Sequence, residues 1–232
     1  MGKSKFWLNQ IPLYALIFLG AVYLALFTSK TAATMGYQDN RYTIIIDAGH
    51  GGEDGGATSC TGILESQFNL EIALRLDKIM QLLGYETLMV RTSDTAVHTS
   101  GNTIAARKAS DLKARVNLVN NTPNCVLVSI HQNYFPQSKY CGSQVFYGKH
   151  EESKTLAQQM QSSLRENLRQ GGNRQAKPAQ GIYLMDHIQN PGILVECGFL
   201  SNPEEEYKLR DPAYQKQLCA VLAASLCNYF AS

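Results

Sequence analysis

Tyr42-Thr43-Ile44-Ile45-Ile46-Asp47-Ala48-Gly49-His50-Gly51-Gly52 joins a β-branched apolar run to a glycine-rich turn. β-Branched residues favour a strand, and the acid followed by glycines marks its end. Beyond the stretch Gly49–Gly62 the apolar spacing becomes helical. Phe68, Ile72, Leu76, Ile79 and Leu83 recur at helix intervals from Glu65, and Gly84 stops that helix. The alternation continues along the chain. Thr87–Val90 reads as a second strand, Ile104–Asn120 as a helix and Cys125–Ile130 as a third strand. The third is apolar on both faces and therefore central. Gln144–Tyr147 is a fourth strand and Ser153–Leu168 a helix. Gln170–Gln180 reads as a loop, followed by strands at Gly181–Leu184 and Ile193–Val195. Asp211 and Pro212 open a last helix as N-cap and first residue, running to Tyr229. Strands alternating with helices predict an α/β fold, with one roughly six-stranded sheet covered on both faces.

The 232 residues carry a net charge of +2. Lys3, Lys5, Lys30 and Asp39 account for all of it, so residues 41–232 are electrically balanced. A nucleic-acid binder needs a phosphate-neutralising basic surface, which this composition does not supply. Mean hydropathy of −0.20 excludes a polytopic membrane protein.

Ile11–Phe27 is uncharged, and Phe6-Trp7-Leu8 extends it with aromatics suited to a membrane interface. Lys3 and Lys5 precede it, which keeps the amino terminus cytoplasmic and exports the rest. Residues 1–27 are therefore expected to be a cytoplasmic stub and transmembrane anchor, or a signal segment. Thr31-Ala32-Ala33 is the nearest cleavage-like sequence, and an uncleaved anchor is the expectation. Residues 28–40 form a linker and 41–232 one domain on the extracytoplasmic face. Of the six cysteines, Cys125, Cys219 and Cys227 read as core residues, while Cys60 and Cys141 fall in loops where a bridge between them stays open.

Chemistry concentrates at strand ends. His50 follows strand one, His131 ends strand three, Glu196 ends the last strand and Glu65 opens the first helix. Ligands of open α/β sheets gather at the carboxyl ends of strands. Two histidines and a carboxylate make an open zinc shell, and a further carboxylate can relay a proton. His50, Glu65 and His131 with Glu196 fit that division of labour. Taken singly, Glu65 is also a helix-start carboxylate and His131 also a satisfied core histidine. Glu196 is the hardest to explain blandly, because a carboxylate at the mouth of a buried strand is costly without a partner or a task. Asp47 and Asp54, close to His50, and Asn133 are candidates to orient the ligands, with turn capping as the alternative for the two acids.

Four segments together resemble one family. Ile45–Gly52, then Glu65 with Asn69-Leu70, then Ser129-Ile130-His131-Gln132-Asn133, then Val195-Glu196-Cys197-Gly198-Phe199-Leu200-Ser201-Asn202 are similar in kind and order to the zinc-dependent N-acetylmuramoyl-L-alanine amidases. The resemblance spans about residues 42–230. It implies a mixed six-stranded sheet, Zn2+ held by His50, Glu65 and His131, and Glu196 as catalytic acid/base. It implies as substrate the peptidoglycan glycan strand with its stem peptide, cut between the muramic acid lactyl group and L-alanine. Thr99–Ile104 and Arg107–Leu112 narrow the likeness to the germination-specific amidases of spore formers. That subgroup implies preparation of muramic-δ-lactam in the spore cortex, in functional coupling to a peptidoglycan deacetylase. A cell-separation amidase, a wall-binding module that kept the fold, and an exported zinc carboxypeptidase are the alternatives. The Thr92–Asn102 and Gln132–Gly142 loops are too short for an autoinhibitory helix, so an open site is expected.

Overall fold

The computed structural model describes residues 42–168 and 173–231. The expected anchor and linker, 1–40, lie outside the described residues. Among those described, no helix is long and apolar enough to cross a membrane.

Six strands form a single sheet in the order β2-β1-β3-β6-β4-β5. They are β1 (Thr43–Ala48), β2 (Thr87–Met89), β3 (Cys125–Asn133), β4 (Gln144–Tyr147), β5 (Lys177–Pro178) and β6 (Gly192–Phe199). β2, β1, β3 and β6 run parallel, and β4 returns antiparallel to β6, so the sheet is mixed. The helices are α1 (Glu65–Leu82), α2 (Ile104–Asn121), α3 (Glu151–Asn167), α4 (Tyr183–His187), α5 (Pro203–Arg210) and α6 (Pro212–Phe230).

Two apolar cores explain the sequence pattern. Ile44, Ile46, Val126, Val128 and Ile130 pack with Phe68, Ile72 and Leu76 of α1 and with α3 and α6. Ile45, Leu127 and Leu194 point the other way, onto Val116 and Val119 of α2 and Leu184 and Met185 of α4. A strand buried on both faces cannot alternate apolar with polar, which is why β1 and β3 read as continuous runs.

Two expectations are corrected, and two further points are added. Gly181–Leu184 is not a strand. Gly181 takes φ +75°, a turn conformation, and the apolar residues after it enter α4, burying Leu184 and Met185. Short apolar runs fit strand and helix periods equally. The strand that completes the sheet is instead β5, Lys177–Pro178, within the expected loop. A helix at Pro203–Arg210 was not anticipated, although its start signals are present. Asn202 caps it through the Glu204 and Glu205 N–H groups, with proline at its first position and three acids in its first turn. All six cysteines are free, so Cys60 and Cys141 form no bridge, while Cys125, Cys197 and Cys219 are buried.

Candidate metal centre and active site

β1 and β3 are adjacent and parallel, so His50, just past β1, and His131, in β3, reach the same end of the sheet. Their rings meet edge to face with centroids 5.0 Å apart. Between them stands Glu65, the first residue of α1 and 4% exposed. Its Oε2 lies 3.3 Å from His50 Nε2 and its Oε1 2.9 Å from His131 Nδ1. One donor atom from each residue lies within 4.8 Å of the others.

Glu65 is held on both oxygens. Ala57 N–H donates to Oε2, while Gln132 N–H and Asn69 Nδ2 donate to Oε1. Burial alone would raise its pKa, but hydrogen bonds from the two imidazoles outweigh it and hold the carboxyl far below its ordinary range. Asp54 accepts from His50 Nδ1 at 2.9 Å, which leaves Nε2 facing Glu65. Burial pulls His50 down, yet the Asp54 and Glu65 carboxylates push its pKa up to about 9. A carboxylate behind a ligating imidazole fixes its tautomer and strengthens it as a ligand. The donor set of two imidazoles and one ionised carboxylate suits zinc.

The turn that presents His50 is strained. His50 has φ +61°, which non-glycine residues rarely adopt. Two buried arginines hold it. Arg91 donates to the Ala48, Gly49 and Ser66 carbonyls, and Arg115 to the Ala48 and His50 carbonyls. Asp47 serves this clamp: its carboxylate accepts from Arg115 Nη1 and Ser129 Oγ. Burial opposes the Asp47 charge, and Arg115, Ser129 and His131 together more than compensate, holding the carboxyl below its usual value. Asn133 enters through its backbone, its carbonyl accepting from Leu200 N–H at 2.8 Å. Sequence reasoning missed Arg91, Arg115 and Gln132 as site supports. Nothing in their neighbourhood distinguishes them from surface cations or a strand-end amide before the fold is known.

Glu196 lies within β6 rather than at its end, directly beside His131 in the β3–β6 register. Its Oε2 is buried with no hydrogen-bond partner. Burial, with the Glu65 charge adding to it, raises its pKa to about 7 against the pull of the imidazoles. A carboxyl poised near neutrality can both take and give a proton. His50 and His131 stay about one-fifth exposed, at 21% and 18%, and neither 92–102 nor 134–143 contains a helix.

Comparison with known proteins gives the family. The family model for N-acetylmuramoyl-L-alanine amidase matches residues 44–228. The chain is 41% identical over 189 residues to the germination-specific N-acetylmuramoyl-L-alanine amidase of Bacillus subtilis (strain 168), covering 81% of this chain and 79% of that protein. The CwlD amidase of Clostridioides difficile, solved in complex with the GerS lipoprotein, superposes with a TM-score of 0.78 at 36% identity, over 82% of this chain and 98% of that one. A second Clostridium difficile 630 amidase structure gives 0.73 at 32% identity, over 84% and 99%. From the sheet that gathers two histidines and two glutamates to the matched span of residues 44–228, the chain belongs to the N-acetylmuramoyl-L-alanine amidase family and acts on peptidoglycan.

Proposed function

We propose that His50, Glu65 and His131 bind Zn2+ and that Glu196 is the catalytic acid/base. The observation that carries this is the convergence of three donor atoms within 4.8 Å beside a buried carboxyl oxygen without a partner. Zinc supplies Lewis-acid polarisation of the scissile carbonyl and a lowered pKa for water. The protein supplies the rest. Asp54 keeps His50 Nε2 turned inward, and the backbone N–H of Gln132 keeps Glu65 ionised and in place. Glu196 takes a proton from the attacking water and returns it to the L-alanine nitrogen as the C–N bond breaks. Glu196→Gln removes that function at almost constant volume. The variant should keep its zinc and lose hydrolysis of muropeptides by about 10²–10⁴-fold. Near wild-type peptide release by mass spectrometry would dismiss the assignment.

The biological reading is preparation of muramic-δ-lactam in the spore cortex, upstream of a deacetylase, by an enzyme anchored to a membrane through residues 1–27. The identity to a germination-specific relative supports it. A lipoprotein partner belongs to this reading, because the relative from Clostridioides difficile was solved with one. Spores of a deletion strain should lack δ-lactam; normal δ-lactam content would assign the enzyme to general wall turnover.

A further inference from the structure

Three aromatic side chains stand exposed just beyond the catalytic strands. Tyr134 is 51%, Phe135 44% and Tyr140 36% exposed. Phe135 meets Tyr140 edge to face at 4.8 Å, and Tyr140 stacks towards Phe199 at 6.3 Å. Phe199 is the third residue after Glu196, and Tyr134 the third after His131. The rings therefore begin about 10 Å along the chain from the reacting groups.

The segment is not loose. Phe135 N–H donates to Ser201 Oγ, Asn202 Nδ2 to the Tyr140 carbonyl, Gly142 N–H to Glu205 Oε1 and Ser143 Oγ to the Cys197 carbonyl. Arg174 lies over the Phe199 ring at 5.0 Å and Lys139 over Tyr140 at 5.4 Å. Four hydrogen bonds thus order the segment that carries the exposed rings. Rigid exposed apolar surface of this kind marks a binding site.

The occupant follows from the substrate of the amidase. Only a lactyl ether separates the scissile carbonyl from the muramic acid ring, so the saccharide must lie against whatever borders the metal site on one side. A pyranose presents flat C–H faces, which pack on aromatic rings. We propose that Tyr134, Phe135 and Tyr140 form the subsite for the glycan strand, so that the enzyme recognises the sugar as well as the peptide. The proposal rests on the amidase reading.

The test compares two substrates on the zinc-loaded full chain: a disaccharide-peptide, and a lactoyl-peptide with the same scissile amide and no sugar. Tyr134→Ala and Phe135→Ala should raise KM for the disaccharide-peptide about three- to tenfold, the scale of one lost stacking contact, with kcat little changed. KM for the lactoyl-peptide should not move, and Phe135→Tyr, which keeps a ring, should behave as wild type. Inhibition by a peptide-free glycan tetrasaccharide should weaken by the same factor. Tyr134→Ala, at the more exposed ring, carries the test if Phe135→Ala loosens the loop. Equal losses on both substrates, or an unchanged KM for the disaccharide-peptide, would overturn the subsite and leave the rings to a protein partner. A wild-type chain that releases no peptide from either substrate refutes the amidase reading instead.

Discussion

Gly49 offers a direct probe of the metal centre. Its φ is not positive, so alanine carries no backbone strain there. A Cβ at this position would nevertheless sit 2.2 Å from both Cε1 and Nε2 of His131. Carbon contacts are comfortable from about 3.5 Å, so the imidazole would have to withdraw by about 1.3 Å. Metal sites tolerate about 0.2 Å in a ligand distance, so Gly49→Ala should cost His131 its place and lower zinc affinity by about 100-fold or more. Overpacking of this size costs about 1–3 kcal/mol, and each kcal/mol lowers the melting temperature of a domain this large by about 2–4 °C. The measurement is a double-mutant cycle on metal-free protein, read by chemical denaturation. In a His131→Ala background the obstacle is gone. There Gly49→Ala should be neutral, or stabilising by about 0.4–1 kcal/mol, because alanine restricts the unfolded chain. The full 1–3 kcal/mol should appear as coupling between the two positions. An equal cost in both backgrounds would show that the clash lies elsewhere, and the placement of His131 would be wrong.

Other outcomes follow from the same geometry. Zinc must displace the proton from His50, whose pKa stands at about 9, so affinity should rise about tenfold per pH unit between pH 6.5 and 8.5; a flat profile in competition titrations would remove His50 from the ligand set. Arg115→Met leaves Asp47 charged and 1% exposed, and should cost about 3–5 kcal/mol in urea denaturation; a loss under about 1 kcal/mol would contradict the clamp. Because Asp47 is held below its ordinary 3.8, that contribution is intact above about pH 4 and lost on acidification below it, which a pH series of melts reads. Thiol titration of denatured, unreduced protein should find all six cysteines.

The sheet was legible because buried strands announce themselves. Ile44-Ile45-Ile46 and Cys125–Ile130 are apolar for a reason that also places them centrally. The reading failed where signals were local and short. Ile182-Tyr183-Leu184 suits either period, and only Gly181 with a second core waiting beneath it decides for a helix. The helix at Pro203–Arg210 had its cap and proline in plain sight, but its acid-rich first turn resembles a loop. At the site, the residues that touch each other carried motifs, while those acting at a distance in sequence did not. Arg115 lies 65 positions from the carbonyl of His50 that it holds, and no spacing rule connects them.

The arginine clamp has a thermodynamic consequence. Arg91 and Arg115 grip the carbonyls of residues 48, 49 and 50 through the fold itself, so the left-handed turn at His50 does not depend on an ion for its shape. Many small metal domains fold only as they load, and chelation unfolds them. Here loading and folding should be nearly separate equilibria. A chelator should silence the enzyme and leave it standing, and zinc should add to its melting point only by simple mass action. Such a protein can fold before it is loaded, so that the supply of metal sets when it begins to cut.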